Sequence, residues 1–322
     1  MICLDGYQLA LEREKALLEK FSQLRSTAGA AQSAPKLAAV VFREDTGSML
    51  YTGLKHEAAT RLGFGYQVKE FSLTDPTEQI IKAITALAAQ PEITGIIIQK
   101  PRRQTWQEAN RIEGEAKHIR QAYQIWWQLL TNCLPLVKDV DGLHPTMTEC
   151  LRAGSFAEEG RVLPATVKAV LIALEEAGRA LNWSDQADAS YKELLKDKRV
   201  AIIGRSDLLG KPLEALLASQ GISVELFGVA GLERARSHGK SLRDFPVVVS
   251  ATGVHQLIGA EDVADGVVAI DVGEPRPDLN FAQISPKAAY ITPVPGGIGP
   301  LTVISLMENG FELWQRSLAE ID

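Results

Sequence analysis

Apolar residues occur in the first third of the chain as short runs, separated by segments of helical periodicity. The runs Lys36 to Phe42, Tyr66 to Phe71 and Ile93 to Ile98 have the length of strands, and the last is almost wholly apolar. Such a run is typical of a parallel sheet that is covered on both faces. Ser48 to Leu62 and Asp75 to Ala89 have helical spacing, so strands and helices are predicted to alternate.

Two longer segments of this region also predict helices. Residues 6–28 have apolar positions at mixed spacings of three and four, and residues 102–131 are polar and aromatic with helical spacing. The second segment holds three of the five tryptophans, Trp106, Trp126 and Trp127. At the start of the Ser48 to Leu62 helix, Ser48 is a candidate N-cap.

A second alternating series begins after residue 160. Its predicted elements are a helix at Thr166–Leu181, a strand at Arg199–Gly204, a helix at Lys211–Gln220 and strands at Ile222–Phe227, Val247–Ala251 and Val267–Asp271. The polar stretch Asn182 to Ala189 is predicted to be a loop. This order predicts an α/β fold with a doubly wound parallel sheet. We expect two domains, residues 1–160 completed by a C-terminal helix in 301–322, and residues 161–300.

The composition narrows the class of protein. Of the 322 residues, 46% are hydrophobic and 23% charged, as in an ordinary soluble globular protein. The net charge of −6 gives no basic footprint for nucleic acid, and no apolar run is long enough to span a bilayer. The N-terminus lacks the apolar core of a signal peptide, and three cysteines form neither a metal-like spacing nor a disulfide framework. We therefore expect a cytoplasmic protein without a metal site.

A Pro- and Gly-rich stretch lies near the C-terminus. Thr292 to Thr302 reads Thr-Pro-Val-Pro-Gly-Gly-Ile-Gly-Pro-Leu-Thr, with three prolines and three glycines. Prolines fix φ and remove backbone donors, and glycines permit close approach of a ligand. The stretch follows a short apolar run and precedes an apolar helix candidate, so it is either a rigid ligand-facing loop or a structural turn.

A second candidate joins a predicted strand to a predicted helix. The segment Gly204 to Pro212 reads Gly-Arg-Ser-Asp-Leu-Leu-Gly-Lys-Pro. The unpaired backbone N–H groups at such a helix start attract phosphate. Its spacing differs from Gly-x-Gly-x-x-Gly, so a tight structural turn is an equal interpretation. Arg205 favours binding of a ribose 2′-phosphate, and no acidic residue follows the next strand to clamp an NAD ribose.

Three shorter candidates lie in the first series. Tyr51 and Lys55 are four residues apart and share a helical face, although a solvated lysine beside a half-buried tyrosine is the commoner arrangement. Gln99 ends an apolar strand, where sites of α/β proteins form. Lys138 to Gly142 reads Lys-Asp-Val-Asp-Gly, which is either a turn or a site. Its two carboxylates lack a third metal ligand at suitable spacing.

Together and in this order, the five stretches resemble the bifunctional methylenetetrahydrofolate dehydrogenase/cyclohydrolase family. That family carries Tyr-x-x-x-Lys, Gln-x-Pro, Lys-Asp-Val-Asp-Gly, Gly-Arg-Ser-x-x-x-Gly-x-Pro and Thr-Pro-Val-Pro-Gly-Gly-x-Gly-Pro. All five occur here between residues 51 and 302. The resemblance implies an enzyme that oxidises 5,10-methylenetetrahydrofolate with NAD(P) and hydrolyses the methenyl product to 10-formyltetrahydrofolate. It also implies a folate-binding catalytic domain, a Rossmann-like dinucleotide-binding domain and a homodimer.

The resemblance also implies roles for individual residues. Lys55 is the catalytic amine, Gln99 holds and tunes it, and Asp141 serves catalysis and binds the amino-pyrimidine edge of the pterin. Further substrate contacts come from Tyr51, Pro295, Gly296 and Gly299. The cofactor, NADP with NAD as the alternative, is held by Gly204, Arg205, Ser206, Gly210, Thr252 and Gly273.

The chain departs from the family pattern around these motifs. Pro164 to Ala169 replaces the usual Pro-Cys-Thr-Pro-x-Gly, and Phe227 to Ala230 stands where a Cys-His-Ser-x-Thr stretch helps to hold NADP. Glu274 replaces a usual apolar residue near the cofactor, and Lys100 begins a more polar loop after Gln99. Two alternatives follow, a dehydrogenase of the same fold with another small substrate and a non-catalytic pterin- or nucleotide-binding relative.

Overall fold

The computed structural model describes residues 1–27, 34–186, 188–238 and 241–319. It divides the chain into two compact units. The three-stranded unit comprises Glu14–Thr146, Ala157–Leu163 and Leu306–Asp322. The six-stranded unit comprises Met1–Arg13, Met147–Phe156 and Pro164–Ser305. Residue 28, the predicted end of the first helix, lies outside the described residues, as do residues 187 and 320–322.

Within the described residues, strands and helices alternate through most of the chain. The strands are β1 Ile2–Cys3, β2 Lys36–Phe42, β3 Gly65–Phe71, β4 Gly95–Ile98, β5 Arg199–Ile203, β6 Ser223–Phe227, β7 Val247–Ser250, β8 Val268–Asp271 and β9 Tyr290–Ile291. The helices are α1 Gly6–Thr27, α2 Thr46–Leu62, α3 Thr77–Ala88, α4 Arg103–Ala109, α5 Ala116–Thr131, α6 Met147–Ala153, α7 Ala165–Ala180, α8 Tyr191–Leu194, α9 Gly210–Ser219, α10 Val229–Ser237, α11 Phe281–Ile284 and α12 Ile298–Ala319.

The three-stranded unit has a parallel sheet in the order β3-β2-β4. The central strand β2 is buried from Leu37 to Phe42, which explains its unbroken apolar sequence. Strand β2 pairs Leu37 with Tyr66 on one side and with Gly95 on the other. All three strands were predicted, and β4 begins two residues later than the apolar pattern indicated.

The start of α2 differs from the prediction. Ser48 is not its N-cap, because the helix begins at Thr46 and the capping side chain is Asp45. The Oδ1 atom of Asp45 accepts a hydrogen bond of 3.4 Å from the backbone N–H of Ser48. An aspartate oxygen satisfies a free N–H of the first turn as well as a serine hydroxyl does. At the other end, Gly63 adopts the left-handed conformation and closes the helix.

The segment 102–131 forms two helices, α4 and α5. Helix α5 has a buried aromatic face on which Trp126 contacts Phe42 of β2, with ring centroids 5.4 Å apart. The ring of Trp106 from α4 lies 5.4 Å from that of Tyr123. These contacts bury the tryptophans that made the segment stand out in the sequence, so their main contribution is packing.

The six-stranded unit has a parallel sheet in the order β1-β9-β8-β7-β5-β6. Its chain runs from β5 outward to β6, then crosses back to β7 and continues to β9, which is the doubly wound arrangement. The predicted α/β fold class is thereby confirmed. Strand β1 was not predicted, because a two-residue strand leaves no periodic pattern in the sequence.

The structural division differs from the predicted boundary near residue 160. Strand β1 lies in the six-stranded unit because Ile2 and Cys3 pair with Tyr290 and Ile291. Helix α6 lies there too and packs on α9, where Arg152 donates a hydrogen bond of 2.9 Å to Glu214. The sequence pattern placed both elements in the first domain, since it shows chain order and not packing.

The C-terminal helix α12 starts earlier than its apolar pattern indicated. It begins at Ile298, so the second half of the Thr292–Thr302 stretch is helix and not loop. Pro300 is accommodated because its missing N–H has no partner to lose in a first helical turn. Further along, Asn309 donates a hydrogen bond of 3.0 Å to the carbonyl of Val140, as expected for a helix that packs on the first series of elements.

Candidate active site

Lys55 lies on the buried face of α2 at the centre of a small polar cluster. The residue is 5% exposed, and its ammonium donates a hydrogen bond of 2.8 Å to Oε1 of Gln99. Its Nζ atom lies 3.9 Å from Oδ2 of Asp141. Burial lowers the pKa of Lys55, and the Asp141 carboxylate acts in the opposite direction. Lys55 is therefore a buried amine that gives up its proton more readily than a surface lysine.

Gln99 is held at the carboxyl end of β4. Its backbone N–H donates to the carbonyl of Val40, at 2.9 Å, which continues the ladder between β4 and β2. Its side-chain Nε2 donates to the carbonyl of Ser48, at 3.3 Å. The amide is thus oriented with its oxygen toward Lys55. A carbonyl acceptor fixes the position of the amine without adding a formal charge.

The two carboxylates of Lys-Asp-Val-Asp-Gly have different roles. Asp139 is buried and accepts hydrogen bonds from the backbone N–H groups of Leu143 and His144, at 2.9 and 2.8 Å. Burial raises its pKa to about 6 in spite of these bonds. Lys138 donates to two carbonyl groups at the end of α3. Both residues shape the loop, which leaves Asp141 as the carboxylate beside Lys55.

Two further residues lie next to members of this cluster along the chain: Tyr51 is four residues before Lys55, and Lys100 directly follows Gln99. Tyr51 precedes Lys55 by one turn of α2 and is half-buried, so part of its ring is accessible. The Lys100 ammonium lies 5.0 Å from the ring centroid of Trp127 and 5.8 Å from that of Tyr123. The hydroxyl of Tyr123 donates to the carbonyl of Pro101. Helix α5 therefore fixes the polar loop after Gln99 through aromatic contacts.

The loop after β5 has a backbone that only glycine permits. Gly204 has φ +121°, and a Cβ atom there would lie 2.3 Å from the carbonyl oxygen of Ala251. A Cβ atom on Gly210 would lie 1.7 Å from the carbonyl oxygen of Gly204. Strand and helix thus meet at backbone contact, as in phosphate-binding turns. The Ser206 hydroxyl accepts from the N–H groups of Leu209 and Gly210, at 3.2 and 3.4 Å, so it lies at the start of α9.

Arg205 is exposed and its side chain runs toward the end of β6. A Cβ atom on Gly228 would lie 3.2 Å from Cδ of Arg205. Gly228 is the N-cap residue of α10, a helix that the sequence pattern did not reveal. In doubly wound folds the end of this second strand faces the adenosine ribose of a dinucleotide. The guanidinium group and the N-terminus of α10 therefore belong to the same end of the unit.

Thr252 and Gly273 are joined through two buried aspartates, Asp278 and Asp271, which are linked by a hydrogen bond of 3.2 Å from the backbone N–H of Asp278. Oδ2 of Asp278 accepts from the Ser250 hydroxyl, at 2.8 Å, and from the Thr252 hydroxyl, at 2.9 Å. A Cβ atom on Gly273 would lie 2.5 Å from Oδ1 of Asp278. Asp271 accepts from the N–H groups of Gly273 and Leu279. The carboxyl ends of β7 and β8 are thus tied into one rigid edge of the sheet.

Pro295, Gly296 and Gly299 lie after β9 in the same unit. The carbonyl of Gly296 accepts a hydrogen bond of 2.9 Å from the N–H of Gly6, which ties this loop to the start of α1. Pro295 is exposed, and Gly299 lies in the first turn of α12. A Cβ atom on Gly299 would lie 3.4 Å from Oε1 of Glu274. The loop thus offers bare backbone next to a carboxyl group.

The described part of the chain has neither a cluster of metal ligands nor a helix that could span a membrane. No three His, Cys, Asp or Glu side chains there are grouped in a way that holds a metal ion. The helices described also lack any member that combines the length and hydrophobicity required to cross a membrane.

Two family models match the chain, and together they cover most of it. Residues 4–114 match the catalytic domain of tetrahydrofolate dehydrogenase/cyclohydrolase. Residues 188–318 match the NAD(P)-binding domain of the same enzymes. The chain belongs to the tetrahydrofolate dehydrogenase/cyclohydrolase family.

Individual relatives extend over nearly the full length of the enzyme. It is 32% identical over 316 residues to the bifunctional protein FolD of Methanosarcina barkeri, covering 95% of this chain and 96% of that protein. It is 29% identical to FolD of Methanoculleus marisnigri, with coverage of 96% and 94%. The Trypanosoma brucei FolD structure, complexed with NADP cofactor and inhibitor, superposes with a TM-score of 0.78 at 26% identity and covers 98% of each chain.

Family membership decides between the alternatives that the sequence left open. The chain is an NAD(P)-dependent methylenetetrahydrofolate dehydrogenase and methenyltetrahydrofolate cyclohydrolase, and its substrates are tetrahydrofolate derivatives. The altered residues around the motifs therefore modify an enzyme of this family and do not indicate another function.

The structure adds contacts around the candidate site that the sequence did not indicate. The carbonyl of Ser48 orients Gln99, and Asp45, beyond its role as N-cap, accepts a hydrogen bond of 2.8 Å from the backbone N–H of Arg102. Asp278 joins the ends of β7 and β8. None of these belongs to a motif that carried the resemblance, and a backbone carbonyl leaves no trace in a sequence.

Proposed function

We propose that Lys55, Gln99 and Asp141 form the catalytic centre of both reactions in the three-stranded unit. The observation that carries this assignment is the buried amine of Lys55, held 2.8 Å from the amide oxygen of Gln99. A buried lysine with a lowered pKa is suited to accept and return a proton. The Asp141 carboxylate lies 3.9 Å away, and a carboxylate has the two acceptor oxygens that suit the paired N–H donors of a pterin.

In the oxidation, the chain's contribution is mainly orientation. The dinucleotide, when bound, accepts a hydride from the methylene carbon and leaves a methenyl cation on the folate. Asp141 fixes the pterin edge, and two rings held at contact distance need little further help from the protein. We assign further folate contacts to Tyr51, through its accessible ring, and to Pro295, Gly296 and Gly299, through their backbone.

In the hydrolysis, Lys55 moves the proton. Water adds to the methenyl carbon and transfers a proton to the neutral amine of Lys55. The bond from this carbon to N5 of the folate then breaks as the hydroxyl oxygen forms the formyl C=O and releases its proton to solvent water. The Lys55 ammonium returns the first proton to N5. The product is 10-formyltetrahydrofolate. Gln99 keeps the amine in place during both transfers, since its oxygen accepts an N–H from the amine in either charge state.

The NAD(P) site is proposed at the carboxyl ends of β5, β7 and β8. Gly204 and Gly210 let β5 and α9 meet at backbone contact, which forms the tight turn of a phosphate-binding loop, and Ser206 lies at the helix start. Thr252 and Gly273 form the adjoining edge. These residues fit a dinucleotide because a turn too tight for a Cβ atom at Gly204 or Gly210 brings the N-terminus of α9 to the end of β5, where N–H groups attract phosphate.

For the choice of cofactor we propose a moderate preference for NADP. Arg205 reaches Gly228 at the end of β6, where an NAD-specific site would place an acidic side chain. The usual Ser- and Thr-containing stretch is replaced by the start of α10. The free N–H groups of its first turn are donors for a phosphate, and the helix dipole favours negative charge there.

We also propose a cytoplasmic homodimer. The cysteines Cys3, Cys133 and Cys150 form no disulfide bond with one another, as is usual in a reducing compartment. Strand β3 lies at the end of its sheet and exposes Val68, so its outer edge offers backbone groups to a second copy. Sedimentation of the purified protein tests the dimer, and a monomer at micromolar concentration would exclude it.

The experiment that tests the proposed function uses purified protein and 5,10-methylenetetrahydrofolate. Methenyl absorbance is followed with NADP⁺ and, separately, with NAD⁺. We expect methenyltetrahydrofolate to form and then to be consumed faster than in buffer, with NADP⁺ as the better cofactor. Absence of cofactor-dependent methenyl formation would refute the proposal.

A further inference from the structure

Glu274 is the departure from the family pattern that the catalytic assignment leaves unexplained. It follows the carboxyl end of β8, and its Oε1 atom lies 3.4 Å from where a Cβ atom on Gly299 would be. The residue keeps access to solvent, while the protein around its carboxyl group raises the pKa to about 7 through burial. Its carboxyl group therefore lies against the backbone of the first turn of α12.

The position of Glu274 is fixed by buried side chains. Just before it, the N–H of Gly273 donates a hydrogen bond of 2.8 Å to Asp271. Just after it, the N–H groups of Asp278 and Leu279 donate to the same carboxylate, at 3.2 and 2.9 Å. Asp271 is 2% exposed. The backbone of the segment that carries Glu274 is thus closed at both ends on one buried group, so the position from which the Glu274 side chain extends is fixed.

The sheet order shows which part of a dinucleotide this carboxyl group faces. In a doubly wound sheet the cofactor crosses the point where the strand order reverses, here between β5 and β7. The adenosine end lies toward β6, and the Arg205 side chain runs toward Gly228 at the end of that strand. The nicotinamide end then lies over β7 and β8. Glu274, at the end of β8, belongs to the nicotinamide side.

We propose that the Glu274 carboxylate makes this site prefer the oxidised cofactor over the reduced one. The nicotinamide ring carries a positive charge in NAD(P)⁺ and none in NAD(P)H, and a fixed anion beside it stabilises only the charged ring. The proposal rests on the assignment of the dinucleotide to the Gly204–Gly210 loop. It assigns to Glu274 a binding role that neither the adenosine contacts nor the folate contacts supply.

The test compares dissociation constants of the wild type with those of Glu274→Gln, which removes the charge and keeps the shape. NADP⁺ and NADPH are titrated at about pH 8, where a carboxyl group with a pKa near 7 is mostly ionised. We expect Glu274→Gln to raise the dissociation constant for NADP⁺ about tenfold, as for the loss of one charge pair in a partly wet site. The dissociation constant for NADPH should change by less than about twofold. Glu274→Asp retains the charge on a shorter side chain. Its dissociation constant for NADP⁺ should lie between those of the wild type and Glu274→Gln.

The matched control is Glu261→Gln, which removes an exposed carboxylate from the same unit. It should leave both dissociation constants unchanged. If Glu274→Gln leaves the ratio of the NADPH and NADP⁺ dissociation constants as in the wild type, whether both constants stay the same or both rise equally, the proposal is overturned. Adenosine 2′,5′-bisphosphate, which lacks the nicotinamide, should bind all four proteins alike. Its failure to bind the wild type would count against the phosphate loop, whereas the ratio alone decides the role of Glu274.

Discussion

Lys55 and Gln99 are 44 residues apart in sequence, and their side chains meet at 2.8 Å in a buried position. The amide oxygen of Gln99 accepts from the amine, and the amide nitrogen is fixed in turn by the carbonyl of Ser48. This chain of contacts runs from the end of β4 to the first turn of α2. It places a buried amine with a lowered pKa beside the carboxylate of Asp141.

The Lys55–Gln99 contact predicts a defined pH dependence of the hydrolysis. The neutral amine accepts the proton, so the rate rises with pH through the lowered pKa of Lys55. Gln99→Glu places a carboxylate at the amine, which favours the ammonium form and raises that pKa. We expect the rising limb of the rate of methenyl hydrolysis to move to higher pH, after subtraction of the uncatalysed rate. Gln121→Glu, on the exposed face of α5, is the control, and a limb that stays in place would exclude this role of Gln99.

The proposed contact between Asp141 and the pterin predicts that removal of this carboxylate weakens folate binding selectively. Asp141→Ala leaves the N–H donors of the pterin edge without a partner, which costs roughly 1–3 kcal/mol of binding free energy. The dissociation constant for tetrahydrofolate should rise accordingly, while that for the dinucleotide should change little. Titrations of both ligands measure this, and an equal loss of both would show misfolding in place of a lost contact.

The contact between Gly210 and Gly204 predicts that the cofactor loop tolerates no side chain. Gly210→Ala would bring a Cβ atom within 1.7 Å of the Gly204 carbonyl oxygen, so the loop has to move. We expect loss of dinucleotide binding and a stability loss of about 1–3 kcal/mol, measured by denaturant unfolding. Gly53→Ala is the matched control because its Cβ atom meets open space on α2. Retention of wild-type cofactor affinity by Gly210→Ala would refute the assignment of this loop.

The position of Arg205 near the end of β6 predicts that the preference for NADP over NAD depends on this side chain. A guanidinium group paired with a ribose 2′-phosphate in a partly wet site is worth about 1–3 kcal/mol, or roughly ten- to a hundredfold in affinity. Arg205→Ala should therefore weaken NADP by this factor and leave NAD nearly unchanged, with exposed Arg234→Ala as the control. The account of the preference fails if the wild type binds NAD more tightly, or if Arg205→Ala keeps the same preference.

The sequence predicted the fold where apolar pattern and packing coincide. Strand β2 is buried on both faces, so its residues from Leu37 to Phe42 are apolar without interruption and the strand was evident. Strand β1 was missed because two residues carry no period. Helix α10 was missed because Leu232 is its one buried residue, which leaves no apolar periodicity. The start of α12 was misplaced because proline and glycine also occur in a first helical turn.

The motifs indicated which residues could form the candidate site, and they did not indicate how the two aspartates of Lys-Asp-Val-Asp-Gly differ in the structure. Asp139 and Asp141 are two residues apart, and no pattern distinguishes the carboxylate that holds the loop from the one beside Lys55. That distinction depends on the N–H groups of Leu143 and His144, whose directions are set by the folded loop. The place of Glu274 against Gly299 depends in the same way on a contact between distant segments.

The most direct measurement of the central claim is the time course of methenyltetrahydrofolate in wild type and Lys55→Met. Methionine keeps the length of the side chain and removes its proton-carrying amine, so folate binding should remain largely intact. Purified protein is mixed with methenyltetrahydrofolate, and the decay of its absorbance is compared with decay in buffer. We predict fast hydrolysis by wild type and by the control Lys82→Met, an exposed residue of α3, and decay at the buffer rate with Lys55→Met. Hydrolysis at the wild-type rate by Lys55→Met would contradict the account.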